Sequence, residues 1–353
     1  MQASPLSLEE LGGKVGGDAA GALGVLLAYI GDQSGVYRAL ESHGPIDCES
    51  LAKETGLNAR YLREFLSANA GHGYVTYHSE TECFSLTEAQ AAVFAHEGAP
   101  TCMQGFFQAI VSQYATHETA LQTFKSGEGR PWGEHDACCF CGTDRFFRPG
   151  YEANLLETWI PALEGVDEKL NKGAVVADIG CGHGSSTIMM AKQYPNSKFH
   201  GYDFHGPSIE EANQKAKEAG LNNVEFYESS AKEIPDNRYD FACIFDALHD
   251  MGDPVGAATR IREVLSEDGT FMLVEPMSED SLQENLEKNP MCGAYYSFST
   301  LVCVPTSKSQ EVSLQLGAQA GQARLTEVLN EAGFSRVRRT SENPSNMVLE
   351  VRL

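Results

Sequence analysis

The segment Val176-Ala177-Asp178-Ile179-Gly180-Cys181-Gly182-His183-Gly184 constrains this chain more than any other: an apolar strand ends on an acid, passes through three alternating glycines and runs into a helix starting near Ser185. A side chain at those turns would hold a ligand off the backbone, and glycine alone reaches positive φ without strain. The helix start directs its free N–H groups at whatever docks there. A second strand-like run, Lys198 to Tyr202, leads to Asp203, 19 residues past Gly184. An acid that grips ribose hydroxyls lies at about that distance in a strand, loop and helix unit. The predicted class is therefore α/β, built around a nucleotide-sized cradle.

The spacing selects the nucleotide. A dinucleotide fingerprint reads G-x-G-x-x-G, whereas this loop reads D-x-G-x-G-x-G, with Ser185 where the third dinucleotide glycine would fall. The strand-end carboxylate of Asp178 would repel a pyrophosphate but suits a ligand carrying an ammonium and a sulfonium. S-adenosylmethionine carries both charges, and a nicotinamide-dependent dehydrogenase is disfavoured on the same ground.

From Asn171 to Leu353 the chain resembles the class I S-adenosylmethionine-dependent methyltransferases. Val224 to Tyr227 stands for the third strand and Tyr239 to Asp246 for the fourth. Helix Val255 to Leu265 and the Asp268-Gly269 turn precede a fifth strand, Thr270 to Glu275. The resemblance implies a Rossmann-like, seven-stranded domain whose last strands, Val337 to Arg339 and Met347 to Val351, lie antiparallel at the sheet edge. It implies cofactor contacts at Asp178, Gly180, Cys181, Gly182, Gly184, Asp203, Phe204, Ser230, Ala231, Asp246 and Ala247. Ser230 stands where the family usually has an acid beside the adenine.

The preceding residues have a helical rhythm. Helices are expected at Gly21 to Ile30, Ser34 to Glu41, Cys48 to Glu54 and from Asn58, a good N-cap, to Ala70. A hairpin, Tyr74 to Tyr77 with Cys83 to Leu86, completes a winged helix. Residues 1–100 hold five Lys and Arg against thirteen Asp and Glu, a net of −8 within a chain of net charge −23, so DNA binding is not expected. The segment resembles the dimerisation domain of plant caffeate-type and hydroxyindole-type methyltransferases, implying a homodimer. Further helices are expected from Met103 to Thr123 and from near Pro149. The longest apolar run near the start, Ala22 to Ile30, is too short for a membrane span and lacks the basic flank of a signal peptide. With ten cysteines read as reduced thiols, a cytoplasmic protein is expected. The expected organisation is a mostly helical winged-helix domain over 1–100, a helical linker and candidate lid over 101–160, and the cofactor domain over 161–353.

A hydroxyl acceptor needs a base to take its proton. His249, in Asp246-Ala247-Leu248-His249-Asp250-Met251, resembles the general base of plant-type O-methyltransferases, although a residue walling the cofactor explains it equally well. Arg145, Phe147, Arg148 and Tyr151 are substrate-side candidates or an interdomain docking surface of aromatics and ion pairs. Tyr295 and Tyr296 are candidates for an apolar substrate wall. Cys138-Cys139-Phe140-Cys141, near His135 and Asp136, lacks the paired spacing of a zinc site, and no metal is expected. The expected activity is methyl transfer to a small molecule, foremost at a hydroxyl; the alternatives are transfer to nitrogen, sulfur or carbon, or a noncatalytic S-adenosylmethionine sensor. Neither nucleic acid nor membrane is an expected partner.

Overall fold

The computed structural model describes residues 6–353. The chain runs through α1 (Leu8–Gln33), α2 (Val36–His43), α3 (Cys48–Thr55), α4 (Ala59–Gly71), β1 (Thr76–His78), β2 (Cys83–Ser85), α5 (Glu88–Phe94), α6 (Gln104–Ala115), α7 (His117–Ser126) and α8 (Ala137–Asn154). It continues through α9 (Val166–Lys172), β3 (Val175–Ile179), α10 (Ser185–Gln193), β4 (Lys198–Asp203), α11 (Gly206–Glu218), β5 (Val224–Glu228), β6 (Tyr239–Phe245), α12 (Pro254–Val264) and β7 (Leu265–Pro276). The last elements are α13 (Leu282–Lys288), α14 (Cys292–Phe298), α15 (Val304–Lys308), α16 (Gly321–Glu331), β8 (Arg336–Glu342) and β9 (Asn346–Arg352).

Two compact units form. The first combines the chain up to Ala115 with Asp136–Pro149, and the second combines Thr116–His135 with Gly150–Leu353. The stretch 101–160 is thus divided between them.

In the first unit, local chemistry starts each helix. Asp47 caps α3 through the N–H groups of Glu49 and Ser50, and Asn58 caps α4 through those of Arg60 and Tyr61. Ser7 and Glu10 form a reciprocal capping box, which starts α1 well before the expected Gly21. Tyr37, Leu40, Leu51, Leu62, Leu66, Phe84 and Phe94 make the core beneath the β1–β2 wing. Two expectations fail. In place of one helix from Met103 to Thr123, the chain breaks at Thr116 between α6 and α7. In place of a helix beginning near Pro149, α8 starts at Ala137 and carries Pro149 inside it, so the cysteine cluster is helical.

The second unit is built on one sheet in the order β5-β4-β3-β6-β7-β9-β8, parallel except for β9, which runs antiparallel to both β7 and β8. The central strands are buried on both faces, as Val176, Ala177, Phe241, Ala242, Ile244, Phe271 and Leu273 show, which explains their unbroken apolar runs. Ile261 and Leu265 pack with Leu325 and Leu329 from α16 over one face. No helix among the described residues is long and apolar enough to cross a membrane.

Candidate active site

The strand order reverses between β3 and β6. In an open parallel sheet, the crevice beyond the carboxyl ends at such a point is where ligands settle. Two loops leave the sheet there, and both carry residues singled out from the sequence.

After β3 the chain passes Gly180, Gly182 and Gly184 at φ of 72°, 52° and 75°. A Cβ on Gly180 would lie 2.9 Å from that of Ala247 in the neighbouring loop, and one on Gly184 would enter the Phe226 ring at 2.6 Å. A Cβ on Gly182 would meet nothing within 4 Å. Packing therefore dictates the outer glycines, while Gly182 keeps an open side for a ligand.

Asp178 supports this loop from beneath. It is fully buried; its Oδ2 accepts the hydroxyls of Ser186 (2.8 Å) and Thr187 (2.7 Å) from the first turn of α10, and its Oδ1 has no hydrogen-bond partner. Burial pushes its carboxyl up to about 6 despite those bonds. Asp203, ending β4, accepts the N–H of Gly182 (2.9 Å) at Oδ2 and that of His205 (2.9 Å) at Oδ1, and burial raises it against both. Phe204 beside it is 54% exposed, whereas Cys181 is buried. On the β5 side, the Ser230 hydroxyl donates to Glu233 (2.8 Å), next to half-buried Ala231.

After β6 the backbone enters the left-handed region at Asp246, φ 49°, a conformation uncommon outside glycine and often found at functional sites. Its Oδ2 accepts the Tyr151 hydroxyl (2.7 Å) and its Oδ1 the Asn346 amide (2.7 Å). Burial, with the charge of Glu275 added, outweighs those bonds and lifts the Asp246 carboxyl to about 8. His249 lies three residues on, 4% exposed. Its Nδ1 lies 2.6 Å from Oε2 of the buried Glu275, whose Oε1 accepts the N–H of Leu248, and its Nε2 lies 3.3 Å from Oδ1 of Asp250. Burial acts to lower the imidazole's pKa, but the Glu275 and Asp250 carboxylates prevail and hold it well above its ordinary value. With a carboxylate facing each nitrogen, the ring is held in place and its basicity is raised.

The remaining candidates divide between the units. Tyr151 joins Asp246 in the second unit, where buried Tyr295 donates to the Ser345 carbonyl (3.0 Å) and Tyr296 is half-buried. In the first unit Arg145 donates to Asp32 (2.9 Å), Glu97 (2.7 Å), Gln104 (3.2 Å) and Gln108 (2.7 Å). Arg148 pairs with Glu97 and Asp144, and Phe147 meets Phe146 edge-on. These arginines belong to an ion-pair network around a buried Asp32 within the first unit.

Sequence reasoning missed Glu275, Asn346 and Cys303. Glu275 did carry a signal: like Asp178, it is an acid closing a buried apolar strand, a place where burial must be compensated. Asn346 and Cys303 carried none, because only the sheet edge and the turn before α15 bring them in.

Residues 170–333 match a family described as a methyltransferase domain, and residues 21–96 match one described as an Rv2258c-like winged HTH domain. A demethylmenaquinone methyltransferase of Listeria monocytogenes is 30% identical over 184 residues, 50% of this chain and 76% of that protein. Among solved structures, human N-acetylserotonin methyltransferase in complex with SAM superposes with a TM-score of 0.73 at 16% identity, covering 100% of this chain and 99% of that one. The mitomycin 7-O-methyltransferase MmcR gives 0.72 at 18% identity, covering 97% and 98%. At those identities the structures share the fold.

Proposed function

Because the chain belongs to the S-adenosylmethionine-dependent methyltransferases, we propose that it methylates a small molecule at a hydroxyl oxygen. The residues present fit the cofactor: Gly182 keeps an open side, Asp178 Oδ1 is a buried acceptor with no partner, and burial has raised Asp178, Asp203 and Asp246. Carboxylates lifted in this way mark a site short of positive charge, which a ligand bearing an ammonium and a sulfonium relieves. In this reading Asp203 holds the ribose, the Gly180–Gly184 loop the amino-acid end, and Ser230 with Ala231 the adenine edge, beside Cys181, Phe204 and Ala247.

When bound, the cofactor supplies an electrophilic methyl group on sulfur. The chain's own residues align the acceptor and exclude water, since in-line displacement with vanishing opposite charges is fastest in a dry, ordered site. A hydroxyl must also lose its proton. One observation supports His249 as the group that takes it, because its Nδ1 is fixed at 2.6 Å by buried Glu275, directly after β6. That contact orients the ring and leaves Nε2 to take the proton.

The test is transfer of labelled methyl from S-adenosylmethionine into a metabolite extract. Label in small molecules that is lost in Asp203→Ala supports the enzyme reading; cofactor binding with no transfer to any fraction favours the sensor. Once an acceptor is known, Glu275→Gln and His249→Ala should each lower kcat at least ~100-fold with cofactor affinity retained. Turnover indifferent to both overturns the hydroxyl reading in favour of nitrogen, sulfur or carbon.

We further propose a homodimer in the cytoplasm. Leu8, Leu11, Val15, Leu23, Leu26 and Ile30 are exposed along one side of α1, an apolar stripe suited to a second copy. Ten cysteines, none of them in a disulfide among the described residues, suit a reducing compartment.

A further inference from the structure

His249, Asp250 and Cys303 form a cluster that the proposed methyl transfer does not use in full. One nitrogen, one carboxylate oxygen and one sulfur from these side chains all lie within 4.8 Å of one another. His249 and Cys303 are 4% and 6% exposed. Two elements supply them: the turn after β6 carries His249 and Asp250, and a single turn of π-helix, Ser299–Cys303, carries the thiol. Such turns concentrate at functional sites because the extra residue re-aims a side chain.

Cys303 interacts with both His249 and Asp250, but the contact between those two is loose. Asp250 Oδ1 stands 3.3 Å from His249 Nε2 yet makes no proper hydrogen bond, although it is buried. The nitrogen and the oxygen have the spacing of metal ligands, with the sulfur within 4.8 Å of both. In a tetrahedral zinc site with bonds near 2.0–2.1 Å, a nitrogen and an oxygen ligand are about 3.3 Å apart. The ring's other nitrogen already points at a buried carboxylate, Glu275 at 2.6 Å. A ligating histidine characteristically makes this contact, which fixes the ring and strengthens the nitrogen on the metal side.

We propose that His249 Nε2, an Asp250 carboxylate oxygen and Cys303 Sγ bind a zinc ion, with Glu275 bracing His249 from behind. Three protein ligands leave a fourth position, as in catalytic rather than structural zinc sites. An oxygen or sulfur ligand there would have its proton loosened. No zinc spacing was visible along the chain because Cys303 lies 53 residues beyond Asp250. A zinc-bound Nε2 cannot also take the acceptor's proton, so occupancy of this site would replace the role of His249 as base proposed above, and the test of the site does not use turnover.

The full chain, stripped with a chelator and dialysed, is titrated with cobalt(II) as a spectroscopic stand-in for zinc. The expected result is one equivalent with tetrahedral visible bands and a near-ultraviolet thiolate band. That band should vanish in Cys303→Ser, persist in Cys292→Ser, and require about 10- to 100-fold more metal in Glu275→Gln. Absence of the band, or its survival in Cys303→Ser, overturns the site. A second measurement covers a variant that fails to fold: on the unmutated chain, zinc should slow alkylation of Cys303, mapped by peptide mass, and leave Cys292 unchanged. Equal labelling of Cys303 with and without zinc refutes the proposal.

Discussion

Asp178→Asn should stabilise the second unit at alkaline pH while weakening cofactor binding, two effects that pull apart only if this carboxylate is buried for its ligand. Burial raises its pKa from 3.8 to about 6, roughly two units, which is worth about 3 kcal/mol. The folded chain therefore keeps a proton that the unfolded chain releases. Stability falls as pH rises from about 4 through about 6 and stays lowered above it. The groups facing Asp178, namely Asp203, Cys181 and Cys243, remain in the variant. An asparagine oxygen can still accept from Ser186 and Thr187, and its amide takes the place of an oxygen that had no partner. Urea unfolding followed by the fluorescence of Trp132 and Trp159, both in this unit, measures the difference. The curves of the two proteins should approach each other near pH 4 and separate by about 3 kcal/mol in the variant's favour at pH 8. S-adenosylmethionine affinity, by calorimetry at pH 8, should fall. A gap that stays constant across this range would refute the reasoning, and so would a variant less stable than the parent at pH 8.

Other substitutions separate the remaining roles. Gly184→Ala meets both positive φ and the Phe226 ring, so it should cost several kcal/mol, whereas Gly182→Ala meets only its φ and should cost about 1–2 kcal/mol; thermal unfolding checks this, and a cofactor affinity unchanged in Gly182→Ala would remove that residue from the cradle. Arg145→Met leaves buried Asp32 with the more distant Arg38 (3.6 Å) and the Gln33 amide (3.0 Å), and a loss of about 1.5–3 kcal/mol is expected; unaltered stability with a raised acceptor KM would return Arg145 to the substrate. Tyr151→Phe removes a bond to Asp246 that favours the charged carboxylate, so its cost of about 1–3 kcal/mol should appear above pH 8 and shrink toward pH 6. Equal costs at both pH values would show that the bond does not follow the charge.

Much of the fold was legible because it follows from local periodicity. The apolar runs at Val176, Phe241 and Phe271 could only be strands buried on both faces, and the glycine spacing set the turn between β3 and α10. Helix limits were less legible where breaks lack proline or glycine. Nothing near Thr116 announces the end of α6, and Pro149 sits inside α8.

The proposed cofactor end could be read from the chain alone: Asp178, the three glycines and Asp203 lie within one strand, loop, helix and strand, so the fold of that one unit sets how they sit together. The proposed acceptor end is made by packing. His249 was visible as a candidate, but its character depends on Glu275 from β7, Asp250 beside it and Cys303 from a distant turn. Asp246 likewise depends on Tyr151 from before the sheet and Asn346 from its last strand. A side chain's charge and reach are set by what packs against it, and sheet topology brings those neighbours from segments with no fixed spacing in the chain.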